Sequence, residues 1–335
     1  MHKSLAIGAV LAASLAGTAM AQDWQPSEPV TIVVPWSAGG STDSVTRVVA
    51  EVLTEAIGQT FVVVNQPGAS GSVGTRSVWE APHDGMMFAA GAAADLGAYP
   101  VMDMLDVPIA DWKLYLHVAN PSLVSVPADS PYQDFGELLE ALQNAEDPIT
   151  ASSAGLTSAG AISLDAIDTA AGGINYQQIT YEGGAPAVTS TVAGETQMTA
   201  QTAVEQVDMI RAGRLRPLAV VADTALELEG FGSVPPITDW LPDVAVAPNY
   251  FGLFLPADAP AEVIATMDEV WATVIPESER MRAYASERAA LFNPSHGEAA
   301  QAAAMPFLQI NAWQQFDSGA GPNDPSEFGI PRPDE

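Results

Sequence analysis

The chain contains no cysteine among its 335 residues, so neither disulfide bonds nor thiol chemistry contributes to its structure or function. Basic residues are scarce: 11 lysines and arginines stand against 41 acidic residues, which gives a net charge of −30. Nucleic acids bind to basic surfaces, so this composition excludes them as partners and disfavours anionic membranes. The acidic residues are scattered rather than spaced like metal ligands. We therefore interpret them as a solvated surface suited to a salty medium.

The sequence signatures of common enzymes are also missing. We find no G-x-S-x-G, H-E-x-x-H or G-x-x-x-x-G-K-[ST] motif and no G-x-G-x-x-G fingerprint. His83, His117 and His296 lie far apart in sequence, and none is assigned a catalytic role. We therefore predict a protein that is not an enzyme and needs no cofactor or metal. A periplasmic hydrolase assembled from distant serine, histidine and aspartate residues is the minor alternative.

No apolar run in the sequence is long enough to span a membrane. The run from Leu5 to about Ala16 falls short of the roughly 20 residues that a span requires. It follows the positive charge of Lys3 and precedes Ala-Met-Ala at 19–21, which is the pattern of a secretory signal with an A-x-A cleavage site. We predict cleavage near Gln22 and export to the periplasm.

The exported sequence opens with a strand, a glycine turn and a helix. Val30 to Val34 predict a buried strand, and Val45, Val49 and Leu53 predict a helix. A glycine turn before a helix directs free N–H groups and the positive end of the helix dipole at one point, which suits an anion. We predict an anion cradle there, with Asp43 as a helix N-terminal residue rather than a ligand group. The expected ligand contacts are Ser37, Ala38, Gly39, Gly40, Ser41 and Thr42.

A second junction follows the same plan. The segment 149–152 predicts a strand, 153–160 a loop of small residues, and the helix after it ends at Gly172. Two cradles in one chain suggest two lobes that share one ligand. Strand and helix signals alternate almost to the end of the chain, which predicts an α/β fold with largely parallel sheets. The expected contacts in the second cradle are Ser153, Ala154, Gly155, Thr157 and Ser158.

Further candidate contacts lie in loops that follow other predicted strands. Tyr181 is a candidate for the wall of the cleft, with the core of the lobe as its alternative place, while Gly183 and Gly184 let the backbone approach the ligand. The segment 91–94 is predicted to be a loop of small residues. The remaining candidates are Asn65, Gly68, Ala92, Ala93 and Gln201. The arginines at 47, 76 and 211 are interpreted as structural ion pairs.

These motifs together resemble the Bug family, the TctC-like periplasmic solute receptors of tripartite tricarboxylate transporters. The resemblance is carried by Pro-Trp-Ser-Ala-Gly-Gly-Ser-Thr-Asp at 35–43, Asn-Gln-Pro-Gly-Ala-Ser-Gly-Ser-Val-Gly at 65–74 and Tyr-Glu-Gly-Gly-Ala-Pro at 181–186. It runs from about residue 28 to 300 with the motifs in the family's order. It implies a type II periplasmic-binding-protein fold, in which two α/β lobes joined by two crossover strands close over a carboxylate.

The resemblance also implies how the chain is divided and what it meets. A signal peptide at 1–21 would be followed by lobe 1 at 22–127 plus 252–317 and lobe 2 at 128–251. The crossovers would lie near 123–128 and 250–256, and the Pro/Gly/Asp-rich tail at 318–335 is expected to be extended. The family implies delivery of a small organic carboxylate to membrane transporter subunits, and a monomer is expected because the lobes must open and close. A sensor kinase is the alternative partner.

Two positions depart from the family's pattern. The family usually has a basic residue where this chain has Glu182, and often a smaller or non-indole residue where it has Trp36. Both changes bear on ligand choice, and the acidic one disfavours a tricarboxylate unless its side chain points to solvent. The ligand therefore stays open among mono- and dicarboxylates, amino-acid-like anions and aromatic acids.

Overall fold

The computed structural model describes residues 24–333, so the predicted signal segment lies outside the described residues. The described chain forms two α/β lobes, each built on its own sheet, which confirms the predicted fold class. The first pass through lobe 1 consists of β1 (Val30–Val34), α1 (Ser41–Ile57), β2 (Phe61–Asn65), α2 (Ser72–Trp79), β3 (Met87–Ala92), α3 (Ala93–Val101) and β4 (Trp112–Ala119).

The middle of the chain forms lobe 2 and the remainder returns to lobe 1. Lobe 2 consists of β5 (Leu123–Pro127), α4 (Phe135–Asn144), β6 (Ile149–Ser153), α5 (Ala159–Ala171), β7 (Tyr176–Thr180), α6 (Gly184–Val192), β8 (Met198–Thr199), α7 (Ala203–Arg211), β9 (Leu215–Val220), β10 (Leu226–Leu228) and β11 (Gly232–Val234). Lobe 1 is completed by β12 (Tyr250–Pro256), α8 (Ala261–Thr273), α9 (Glu279–Arg288), β13 (Leu291–His296) and α10 (Gly297–Asp317). None of the helices within 24–333 has the length and apolarity needed to cross a membrane.

The sheets are mixed rather than largely parallel. In lobe 1 the strand order is β13-β4-β12-β3-β1-β2, and the only parallel pairings among the described strands of this sheet are those of β1 with β2 and with β3. In lobe 2 the order is β7-β6-β8-β5-β9, with β5 antiparallel to both of its neighbours. The antiparallel strands include β4, β5 and β12, which adjoin the passages between lobes. A strand that arrives from the other lobe is not part of a βαβ unit, so nothing imposes a parallel direction on it.

The chain passes between the lobes at two adjacent points. The first passage is Asn120 to Ser122, between β4 and β5, and the second precedes β12. The N–H of Asn120 donates to the carbonyl of Asn249 at 2.9 Å, so the two passages are hydrogen-bonded to each other. The segments expected to be crossovers, 123–128 and 250–256, each lie almost wholly within one sheet, the first in lobe 2 and the second in lobe 1.

The local sequence explains how α1 is placed against the lobe 1 sheet. Val45, Val49 and Leu53 recur at helical spacing and are fully buried. Gly58 ends the helix in the left-handed region with φ +80°, and its N–H donates to the carbonyl of Thr54. The start of α1 is therefore held at the carboxyl end of β1, where ligands bind in open α/β sheets.

The C-terminal segment packs on lobe 1 instead of extending away from it. Ile330 is fully buried in the core that α3 and α10 form. The indole N–H of Trp313 donates to the carbonyl of Pro331 at 3.0 Å, and the guanidinium of Arg332 lies 4.0 Å from the centre of the Trp313 ring. The buried side chain of Ile330 and the cation–π contact of Arg332 thus hold the tail against lobe 1, although its composition alone predicts an extended chain.

We predict that Ile330→Ala destabilises the protein by about 2 kcal/mol or more, because truncating a buried isoleucine removes apolar contacts and leaves a cavity. Thermal unfolding followed by circular dichroism measures the effect. Glu327→Ala, at an exposed position of the same segment, is the matched control and should leave the midpoint nearly unchanged. Equal midpoints for the two variants would show that the tail does not contribute to the core.

Candidate functional site

The two lobes enclose a cavity of about 30 Å³ where the first turns of α1 and α5 face each other. A space of this size holds about two water molecules, so the lobes are in a closed arrangement. The cavity is lined by Trp36, Gly40, Ser41, Thr42, Ala92, Asp95, Ala154, Ser158, Ala159, Gly184, Gln201, Thr202, Glu205 and Phe251.

Direct hydrogen bonds join the lobes around this cavity. The N–H of Ser37 in lobe 1 donates to the carbonyl of Glu182 in lobe 2 at 2.9 Å. The N–H of Leu156 donates to the Ser70 hydroxyl at 3.1 Å, and the hydroxyl of Thr157 donates to the Ser70 carbonyl at 3.0 Å. The closed arrangement is therefore held by loops of both lobes.

A carboxylate of the protein itself reaches the predicted anion cradle. Glu205, on α7 of lobe 2, accepts a hydrogen bond at Oε1 from the N–H of Ser41, at 2.9 Å across the cleft. A Cβ at Gly184 would collide with this oxygen, and one at Gly40 would lie 3.3 Å from it. Close approach of the carboxylate therefore requires glycine at position 184. Sequence reasoning missed Glu205 because an acidic residue in a helix is usually solvated.

Gln201 links Glu205 to the second cradle. With its amide oriented by its neighbours, Gln201 donates to Oε2 of Glu205 at 3.1 Å and accepts from the N–H of Ala154 at 2.7 Å. A series of hydrogen bonds consequently runs from the loop after β6, through Gln201 and Glu205, to Ser41 at the start of α1. Both predicted cradles are part of one network.

Asp95 is the second buried carboxyl group in the cavity. It lies in the first turn of α3 and is 4% exposed. Its hydrogen-bond partners are the Trp36 indole, the Thr157 hydroxyl and the backbone of Ala92. Sequence reasoning placed 91–94 in a loop, but β3 runs to Ala92 and α3 begins at once, which turns Asp95 into the cleft.

Burial dominates the electrostatics of the cavity. It raises the pKa of Asp95 to about 8, and it raises the pKa of Glu205 above its ordinary value, while hydrogen bonds to each group offset part of the effect. No lysine or arginine of the described range 24–333 lines the cavity. The site therefore combines two acidic groups with backbone and hydroxyl donors and has no cation of its own.

Asp43 organises the glycine turn from outside the cavity. It accepts hydrogen bonds from the N–H of Gly39 at 2.9 Å, from Arg47 at 2.7 Å and from the amide of Asn65 at 2.9 Å. Burial raises its pKa, but these bonds outweigh burial and hold the pKa below its usual value. Asn65 also donates to the carbonyl of Trp36 at 3.0 Å, so its contacts are with the turn.

The structure brings eight of the sequence-predicted contacts to the cavity and leaves the others nearby. Those that line it are Gly40, Ser41, Thr42, Ala92, Ala154, Ser158, Gly184 and Gln201. Those that do not are Ser37, Ala38, Gly39, Asn65, Gly68, Ala93, Ser153, Gly155, Thr157, Tyr181 and Gly183. The lining residues absent from the predicted set are Trp36, Asp95, Ala159, Thr202, Glu205 and Phe251.

Residues outside the cavity still shape it. Gly155 approaches Trp36, since a Cβ there would lie 3.3 Å from the indole, and Gly183 approaches Ser37 in the same way. Tyr181, expected to wall the cleft, donates its hydroxyl to Ser190 within lobe 2 at 2.6 Å. The described residues hold no group of three histidine or acidic side chains placed to bind a metal ion.

Comparisons of the sequence agree on one family. The family model described as "Tripartite tricarboxylate transporter family receptor" matches residues 45–305. The UPF0065 protein in the tcbD-tcbE intergenic region of Pseudomonas sp. (strain P51) is 32% identical over 268 residues, which are 77% of each chain. Protein BugT of Bordetella pertussis is 25% identical over 265 residues, which are 78% of this chain and 81% of BugT.

Solved structures share the fold. The periplasmic binding protein BugD superposes with a TM-score of 0.80 at 24% identity, covering 88% of this chain and 99% of BugD. An R. palustris protein with adipate superposes with a TM-score of 0.75 at 23% identity, covering 89% and 98%. A Rhodopseudomonas palustris protein with bound malate gives 0.73 at 21%, covering 87% and 98%. Because the family model spans most of the sequence, this chain belongs to the receptor family of tripartite tricarboxylate transporters and is a solute-binding protein rather than an enzyme.

Proposed function

We propose that this receptor captures a small organic carboxylate between its lobes in the periplasm and delivers it, as a monomer, to a tripartite membrane transporter. The observation that carries the proposal is the bond from the Ser41 N–H to the Glu205 carboxylate at 2.9 Å. It supports the predicted cradle, because a carboxylate oxygen is accommodated at the start of α1. The related folds that hold adipate and malate are consistent with this ligand class.

Capture depends on backbone donors that become accessible when the lobes separate. The N–H groups of Thr42 and Asp43 in α1, and those of Ala159 and Gly160 in α5, donate to no acceptor within the described residues. Each pair lies in the first turn of a helix, where the helix dipole favours negative charge. A ligand carboxylate between the two turns accepts bonds from both lobes and thereby holds them together.

Entry and delivery both require movement of the lobes. The closed cavity of about 30 Å³ is too small for an organic acid, so the ligand enters while the lobes are apart. Closure around it removes water, strengthens its hydrogen bonds and creates a two-lobed surface that membrane subunits recognise. The passages at 120–122 and before β12 are the segments about which the lobes turn.

Closure also couples the cleft to pH. It buries Asp95, whose pKa rises from an ordinary value near 3.8 to about 8. The folded protein therefore favours the protonated carboxyl. The contribution of Asp95 to stability is intact below about pH 4 and is lost as the pH rises toward 8.

The first test of the proposed function is a thermal-shift screen of the chain from residue 22 onward against small carboxylates, neutral sugars and amino acids. A ligand that binds only the folded state adds about 2.7 kcal/mol of stability at a hundredfold excess over its dissociation constant. We expect a carboxylate, recovered unaltered, to raise the midpoint. The proposal fails if no carboxylate does so.

Gly40→Val is expected to weaken ligand binding at least tenfold while the protein still folds. A side chain at position 40 points at Glu205, 3.3 Å from its Cβ, and at the N–H of Gly184, 3.8 Å away, so it obstructs the cradle. Calorimetric titration measures the affinity, and Ala56→Val at the exposed end of α1 is the control. Unchanged affinity in Gly40→Val would remove the first cradle from the site.

Asp95→Asn is expected to raise the midpoint of thermal unfolding near pH 8, because asparagine keeps the shape of the protonated carboxyl without its titration. The difference between variant and wild type in the free energy of unfolding should grow between pH 4 and pH 8. It should exceed about 1.4 kcal/mol, the equivalent of one pKa unit. Asp106→Asn, at an exposed position, is the control. A difference that does not change with pH would contradict the assigned burial of Asp95.

A further inference from the structure

We propose that the ligand of this cleft carries a protonated amine beside its carboxylate, so that the receptor selects amino-acid-like zwitterions over plain di- and tricarboxylates. The inference rests on the proposed function and adds the charge pattern of the ligand to it. It follows from the two acidic side chains, Asp95 and Glu205, that line the same interlobe cavity from opposite lobes.

Each carboxyl group is bonded across the cleft. Glu205 of lobe 2 accepts from Ser41 of lobe 1, and Asp95 of lobe 1 is bonded to Thr157 of lobe 2. A carboxylate has about four acceptor positions. Thr202 and Gln201 also bond to Glu205 and fill most of its positions, whereas the three partners of Asp95 leave one position free. Asp95 can therefore accept a further hydrogen bond from an ammonium group, which offers three donors, and Glu205 adds negative charge to the same cavity.

The lining of the cavity gives these acids no compensating charge. None of the lining residues is basic, and Arg47 is paired with Asp43 outside the cavity. Tyr99 lies near Asp95, while Tyr284 lies at the Glu205 end together with Arg288, which is paired with Asp208. A dicarboxylate would add two negative charges to a closed site that contains two acids, whereas an ammonium group supplies the missing cation.

The cavity also has walls suited to a cation. Trp36 and Phe251 line it, and the face of an aromatic ring, best that of an indole, attracts an ammonium group. The backbone donors of α5 remain for the ligand carboxylate, since Ala159 lines the cavity and its N–H donates to no acceptor within residues 24–333. The lining of one site thus supplies acceptors for an ammonium group and donors for a carboxylate, as a zwitterion requires.

The protonation of Asp95 determines how many protons the protein exchanges when a ligand binds. Burial raises the pKa of Asp95 to about 8, so at pH 7 the group is largely protonated in the closed cleft. A ligand ammonium lowers that pKa and expels the proton, whereas an anionic ligand raises it further. Binding of a zwitterion should therefore leave fewer protons on the protein at pH 7 than binding of its parent acid.

The test compares pairs of acids that differ only by an α-amino group, from three to six carbons, such as propanoate with alanine and glutarate with glutamate. Thermal shift identifies the pair that binds, and calorimetry measures both affinities. We expect the amino acid to bind at least tenfold more tightly than its parent acid. If the parent acids bind equally well or better, the charge inference fails and the proposed function stands. If no acid of either kind binds, the proposed function itself fails.

Asp95→Asn and Glu205→Gln prevent each group from carrying a negative charge without changing the shape of the side chain. We expect each substitution to lower the affinity for the amino acid at least tenfold and to leave the affinity for the parent acid unchanged or higher. Glu195→Gln, at an exposed position of lobe 2, controls for the change in net charge and should alter neither affinity. Equal losses for both ligands would assign the two acids to the shape of the cleft and overturn the inference.

Proton exchange by the wild-type protein gives a test that needs no variant. Titrations of the amino acid and of its parent acid at pH 7, in buffers of different ionisation enthalpy, give the number of protons exchanged by each. We expect the protein to take up fewer protons with the amino acid than with the parent acid. Equal proton exchange for the two ligands would contradict an ammonium group beside Asp95 even if both variants failed to fold.

Discussion

The central interaction of the closed form is the hydrogen bond from the Ser41 N–H to the Glu205 carboxylate, which brings a buried charge of lobe 2 to the first cradle. A buried carboxylate is tolerated only where donors satisfy it, and Glu205 takes its donors from both lobes. Gly184 leaves space for it, and Gln201 connects it to Ala154 in the other cradle. Closing the lobes and satisfying this carboxylate are therefore the same event. A ligand that enters the cleft must either replace this interaction or bind beside it.

Much of the fold can be predicted from local sequence patterns, because interactions between residues close in sequence determine where helices and strands begin and end. The spacing of Val45, Val49 and Leu53 predicts α1, and Gly58 marks its end. The direction of the strands beside the lobe passages is not visible in this way. It depends on which sheet a returning strand joins, and β12 meets β3 and β4 across more than 100 residues of sequence. Periodicity identifies such a strand but not its partners.

The candidate site also contains residues that local motifs predict and residues that depend on contacts between distant parts of the sequence. The turn at Gly40 and the helix start at Ser158 were predicted because a glycine or small-residue turn before a helix has a known consequence for anions. Glu205 lies 164 residues from Ser41, and nothing in its neighbourhood separates it from a solvated helix residue. Glu182, adjacent to a family motif, seemed the more informative acid, yet it is exposed and contributes only its backbone carbonyl to the closed form. Side-chain direction, rather than proximity to a motif, decides which acid faces the cleft.

The net charge of the protein and the acidic groups of its cleft both disfavour an anionic ligand. The chain carries a net charge of −30, so its field opposes the approach of an anion until salt screens it. Inside the cleft, Glu205 and any ionised fraction of Asp95 oppose the anion again, and only backbone and hydroxyl donors favour it. A ligand with an amine reverses the second effect and weakens the first, because its own net charge is smaller. The acidic surface and the acidic cleft then no longer conflict with carboxylate binding, since both become compatible with one zwitterionic ligand.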